Sequence, residues 1–159
     1  MTQRLTLRGL LFAATLLLLA SPVAVKAQLV IDVTTSAGKQ VPVAILPFAG
    51  EDSAPQNITP VVSSNLARTG LFRIVNLGGI TRLPTEPSEI NFDDWTARST
   101  EALVIGGISP LPDGRYEVRF RLFDVAKRVQ LTSGSFTVAA SQLRATAHKI
   151  SDEIYEKLL

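Results

Sequence analysis

Apolar and polar positions follow three different rhythms along this chain. Residues 41–48 (V-P-V-A-I-L-P-F) and 102–108 (A-L-V-I-G-G-I) are apolar almost throughout. Such runs suit strands buried on both faces, as in a sheet sandwiched between helices. Pro42 and Pro47 are expected at the two ends of the first run, because a proline removes a ladder donor. Residues 116–122 alternate instead: Tyr116, Val118, Phe120 and Leu122 against Glu117, Arg119 and Arg121. That predicts a strand with one wet face. In the next strand Val129 and Leu131 share one parity, while Phe136 and Val138 share the other. A bulge near Gly134 would reconcile them. The third rhythm is helical. Val62 and Leu66, with Ile58 and Val61 beside them, form one stripe, and Leu143, Ala147, Ile150, Ile154 and Leu158 form another.

Punctuation residues set the order of these elements. Thr59 is placed as an N-cap with Pro60 at the first helical position, and Gly70 can end that helix in a left-handed cap. Residues 71–77 read as a short strand and 78–89, with Gly78-Gly79, Pro84 and Pro87, as a long loop. Asp93-Asp94-Trp95 opens a short helix with both carboxylates near its positive end. Pro110 and Pro112-Asp113-Gly114 form a turn, residues 125–128 reverse the chain again, and Ser141 can cap the last helix. The order β-α-β-α-β-β-β-α argues for an α/β layered domain with a mixed sheet.

The N-terminus changes the picture of where this domain works. Arg4 and Arg8 precede an apolar run over 9–20, followed by Ser21-Pro22 and by Val25-Lys26-Ala27. This reads as a cleavable secretory signal, with cleavage between Ala27 and Gln28. The run is about twelve residues, short of the roughly twenty that span a bilayer; an uncleaved anchor is the alternative. The expected organisation is a signal over 1–27, an extended N-terminal segment over 28–38, and one α/β domain over 39–159. The formal charge of +2 depends on the signal. Without Arg4, Arg8 and Lys26 it becomes −1, so a basic, nucleic-acid-seeking surface is not supported. No cysteine is present, which removes disulfides, thiolate metal sites, a nucleophilic thiol and the acylated cysteine of a bacterial lipoprotein.

Catalytic chemistry is thin. His148 is the single histidine, and a lone histidine on a helix is mostly a surface or cap residue. Asp93-Asp94 and Asp152-Glu153 are adjacent pairs whose side chains diverge. Gly38-Lys39 lacks the upstream glycine of a phosphate loop, and Gly78-Gly79 and Gly106-Gly107 fit no dinucleotide motif. Asn57-Ile58-Thr59 matches a glycosylation acceptor, a pattern short enough to arise by chance. Trp95, the sole tryptophan, is most simply a core anchor. A small-ligand site at the strand ends near residues 48–52 and Ser109 lacks a convergent polar set. The expectation is no enzyme, no cofactor, no metal and no small-molecule substrate.

Several stretches together resemble the N-terminal domain of the TolB family, the periplasmic component of the Tol-Pal system of Gram-negative bacteria. They are L-V-I-D-V (29–33), V-A-I-L-P-F (43–48), I-x-x-V-V-x-x-x-L-x-R-T-G-x-F (58–72), D-W (94–95), E-A-L-V-I-G-G-I-S-P-L-P-D-G-R-Y-E-V (101–118) and H-x-x-S-D-E-I-Y-E-K-L (148–158). The resemblance implies a three-layer α/β domain with a five-stranded mixed sheet, like the anticodon-binding-domain fold but without RNA binding. It implies periplasmic work in outer-membrane integrity and cell division. It also implies that the mature N-terminus contacts the TolA C-terminal domain through Leu29, Val30, Ile31, Asp32, Val33 and Thr34. An extended segment with Leu29, Ile31 and Val33 on one face can add to another protein's sheet edge. Family members continue into a six-bladed β-propeller, whereas this sequence stops at Leu159. The propeller carries the contact with the lipoprotein Pal, so that contact is expected only where a propeller is present. An outer-membrane assembly or secretion accessory protein, which can share the V-A-I-L-P-F strand, is the alternative function.

Overall fold

The two continuous apolar runs become neighbouring central strands. A computed structural model describes residues 38–159. In chain order these form β1 (Val41–Ile45), α1 (Thr59–Arg68), β2 (Phe72–Ile74), α2 (Phe92–Ala97), β3 (Ala102–Pro110), β4 (Tyr116–Asp124), β5 (Val129–Val138) and α3 (Leu143–Leu158). The five strands make one sheet in the order β2-β1-β3-β4-β5. β1 runs parallel to both β2 and β3, while β3, β4 and β5 form an antiparallel meander.

Each face of the sheet has its own core. Val43, Ile45, Val104, Val118 and Phe120 pack against Ile58, Val62 and Leu66 of the α1 segment and against Leu143, Ala147, Ile150 and Ile154 of α3. Both predicted helical stripes therefore point inward. On the other face Ala44, Leu46, Leu103, Ile105 and Phe123 are covered by Val75, by Trp95 of α2, and by Leu77, Ile80, Leu83, Ile90 and Phe92. Trp95 is thus a core anchor, as expected. Fully burying a Leu, Ile or Phe is worth about 2 kcal/mol; the loop residues Leu77, Ile80, Leu83, Ile90 and Phe92 are partly buried, and each contributes a fraction of that. The result is a three-layer α/β domain with a five-stranded mixed sheet.

Several local expectations are corrected. β1 ends at Ile45, before Pro47. The chain still follows β3, through Leu46 N–H to the Val104 carbonyl at 3.0 Å and Ala49 N–H to that of Gly106 at 2.9 Å, but Pro47 has no donor to continue a regular ladder. Pro42 is the second residue of β1 and costs no ladder bond. The Val41 N–H points to β2, bonding the Leu71 carbonyl at 2.9 Å, so the next nitrogen faces the other side. There β3 has not begun: Ala102 pairs with Val43.

Thr59 does not cap α1. Its hydroxyl accepts from the Phe48 N–H at 2.9 Å and donates to the Leu46 carbonyl at 3.4 Å. The helix is capped from further back, by the buried Glu51, whose Oε2 accepts from the backbone N–H groups of Ile58 and Thr59 at 2.9 Å each. Ser141 does not cap α3 either; a 3-10 turn over Ala140–Gln142 leads into it, and the Gln142 side chain accepts from the Ala139 N–H at 3.1 Å. Gly70 does take the left-handed conformation that ends α1, at φ 73°. The bulge in β5 falls at Leu131, not at Gly134: Leu122 pairs with Thr132 and Phe123 with Gln130, which leaves Leu131 as the extra residue. Gly134 stays in register opposite Phe120, and its glycine identity has a packing cause. A Cβ there would stand 2.6 Å from the Phe120 ring.

Candidate interaction surfaces

The expected partner-binding residues Leu29, Val30, Ile31, Asp32, Val33 and Thr34, and the expected cleavage site at Ala27–Gln28, lie outside the described residues. The described chain enters beside β1. There Lys39 pairs with Glu101 at 2.9 Å, and the Gln40 side-chain amide donates to the Gly70 carbonyl at 2.9 Å.

The residues weighed for catalysis are dispersed over the fold, and His148 and Asp93 are engaged in local structure. Among the described residues no group of three or more His, Asp and Glu is arranged to hold a metal ion. His148 is exposed on α3, with Nδ1 2.8 Å from the Asn65 amide nitrogen of α1; the same amide donates to Ser151 Oγ at 3.0 Å. This cluster ties two helices together. Asp93 accepts from Arg128 at 2.6 Å, an ion pair from the start of α2 to the start of β5. The Glu89 carboxyl is held down at about 2, first by the Thr85 and Glu86 backbone N–H groups and then by the Thr85 hydroxyl and Arg82. It staples the loop before α2. Hydrogen bonds from the Arg115 side chain and backbone likewise lower Asp113 in the β3–β4 turn, and the Lys127 backbone N–H lowers Asp124 in the β4–β5 turn.

Among the described residues no element covers the two sheet edges or half of one sheet face. β2 is an edge of three residues. β5 is an edge of ten, and it contains no charged residue and no proline. The loop-and-α2 layer covers its face mainly beneath β1 and β3. Beyond it Gly107 and Ser109 of β3 lie opposite Arg119 and Glu117 of β4, which lie opposite Ser135 and Thr137 of β5. Along this strip Arg121 pairs with Glu86 at 3.1 Å, the Ser135 hydroxyl donates to Glu117 at 3.2 Å, and Arg119 Nε stands 3.7 Å from Glu117. A cavity of about 130 Å³ opens here, lined among others by Ala49, Glu86, Ile105, Gly107, Ser109 and Arg119. Of the strand-end residues considered for a small ligand, only Ala49 and Ser109 reach it. Phe48 packs on the helix side and Glu51 is committed to α1. Alternation in β4 indicated a wet face, but the cavity depends on which β3 residue stands opposite Arg119, and register is not readable from one strand.

The family model for the TolB amino-terminal domain matches residues 29–131. The chain belongs to this family. The Tol-Pal system protein TolB of Nitrosomonas europaea is 49% identical over 143 residues, covering 90% of this chain and 33% of the relative. That of Thiobacillus denitrificans is 41% identical over 156 residues, covering 96% of this chain and 36% of the relative. The crystal structure of TolB from Acinetobacter baumannii superposes with a TM-score of 0.63 at 30% identity, covering 76% of this chain and 28% of that one. The LpoB C-terminal domain from Salmonella enterica shares the fold, with a TM-score of 0.50 at 13% identity. The chain spans about a third of the length of the curated TolB relatives it matches. The TolB family match begins inside the expected partner-binding segment. No helix among the described residues is long and apolar enough to cross a membrane.

Proposed function

We propose that this chain is a non-enzymatic interaction module of the Tol-Pal envelope system. It works in the periplasm and supports outer-membrane integrity and cell division by binding the TolA C-terminal domain through Leu29–Thr34. The observation that supports this reading is the family match over residues 29–131, which includes residues 29–34 together with the folded domain as far as Leu131. The chemistry of the segment supports it. As an added strand the segment would present Leu29, Ile31 and Val33 on one face, gaining affinity from main-chain bonds and specificity from alternate pockets. Ordering the segment on binding opposes part of that gain, which keeps the affinity moderate.

Calorimetric titration of the TolA C-terminal domain tests the reading. Deleting residues 28–35 should abolish binding and leave the melting temperature nearly unchanged. Ile31→Pro should also abolish binding, by removing a ladder donor. A deletion variant that binds as tightly as the mature chain would refute the assignment of this segment.

A further inference from the structure

Among the described residues nothing requires a glycine at position 107. At the neighbouring Gly106 one is required, because a Cβ there would collide with the buried Phe48 ring. At Gly107 a Cβ would lie 3.6 Å from the Ala49 carbonyl oxygen and 3.9 Å from the Ala49 Cβ, ordinary contact distances. Its φ is not among the positive ones. Glycine inside a strand gives up packing and adds unfolded-chain entropy, and where neither turn nor crowding requires it, it marks close approach by something else. Here the missing side chain leaves the hollow of about 130 Å³.

The surroundings say what would fill it. Ala49 and Gly107 floor the opening over the buried Ile105, while Glu86, Ser109 and Arg119 bring polar groups to it. That pairing of an apolar seat with a polar rim is how an interface holds an anchor residue. Arg119 lies directly across the ladder from Gly107. Its one ion pair among the described residues is the 3.7 Å approach of Nε to Glu117, long for a charge-assisted bond. Arg121, by contrast, is already held by Glu86 at 3.1 Å. A carboxylate brought to this rung would therefore find Arg119 the loosest cation.

We propose that the hollow over Gly107 is an anchor pocket for an extended segment of a partner protein, one with an aliphatic residue two positions from an acidic one. The aliphatic side chain seats over Gly107 and the carboxylate pairs with Arg119. Residues i and i+2 of an extended segment project to the same side, so both reach the sheet together.

The test is a titration of the isotope-labelled chain, followed by amide chemical shifts. The probe is the capped pentapeptide threonine-leucine-threonine-glutamate-threonine. Matched peptides carry glutamine for glutamate or glycine for leucine, and acetate alone is a further arm. The glutamate peptide should shift the amides of Gly106, Gly107, Ser109 and Arg119. The glutamine peptide should bind about threefold to fivefold more weakly, the scale of one exposed ion pair, and the glycine peptide should not shift them. Gly107→Val should fill the hollow, remove the response and leave the melting temperature equal or higher. Arg119→Gln should erase the preference for glutamate. The inference fails if acetate alone reproduces the shifts, if the peptides are not distinguished, or if Gly107→Val unfolds at lower temperature than the parent, since the glycine would then be structural.

Discussion

Replacing Glu51 with alanine probes how α1 is held. The helix has no side-chain cap of its own, and the Glu51 carboxylate supplies one by accepting two backbone N–H bonds at 2.9 Å. Alanine leaves the N–H of the buried Ile58 without an acceptor. Loss of a cap costs about 0.5–2 kcal/mol and hydrogen bonds to a charged group are worth about 1.5–3 kcal/mol, two views of overlapping contacts that should not be added. The cost of burying the carboxylate in the parent works the other way. A net loss of about 2–3 kcal/mol is expected, or roughly 8–12 °C in melting temperature for a domain of this size. Glu51→Gln keeps an acceptor oxygen and loses the charge and its attraction to the helix end, so it should cost about 1 kcal/mol. Urea unfolding followed by circular dichroism measures both, with an unchanged slope showing that the midpoint reports stability. If alanine costs less than about 0.5 kcal/mol, the carboxylate is not the cap that matters. If glutamine is as damaging as alanine, the bonds depend on charge rather than on the acceptor.

Two further outcomes are expected. Gly106→Ala drives a Cβ into Phe48, which has no room to move, and should destabilise the domain by about 3 kcal/mol in the same unfolding assay. Glu89 titrates at about 2 in the folded chain against 4.5 ordinarily, so its contribution is present above 4.5 and lost as pH falls from there through about 2. The protection of the Thr85 and Glu86 amides against hydrogen exchange, taken relative to their intrinsic rates at each pH, should fall over that window, and Glu89→Gln should remove the dependence.

Much of the architecture was legible because its signals are local. The apolar runs of β1 and β3, the alternation of β4 and the stripes of α1 and α3 each report their own surroundings. What was missed depends on partners distant in sequence or on register. Thr59 has the chemistry of a cap, yet Glu51 arrives from the preceding turn and displaces it, leaving the Thr59 hydroxyl to the strand end at Leu46 and Phe48. The parity change in β5 was visible, but Gly134 drew the bulge because glycines often mark one. In fact that glycine makes room for Phe120, and the extra residue is Leu131. The face bearing Arg119 was evident from alternation, whereas its meeting with Gly107 required the β3–β4 pairing.

The two edges of the sheet differ in how they resist joining other sheets. β2 is short, and shortness alone limits a foreign strand. β5 is long and has neither the lysine nor the proline that usually guards such an edge. Leu131 takes their place. By adding one residue it sets Gln130 and Ser133 on one face and Val129 and Thr132 on the other, so strict alternation fails across it. A straight strand laid along the outer edge can match the faces from Thr132 onward or those of Val129 and Gln130, but not both. A second copy aligned antiparallel about Gly134 keeps matched faces only from Thr132 to Phe136. The insertion that brings Leu131 onto the core therefore also shortens any edge-to-edge pairing along β5.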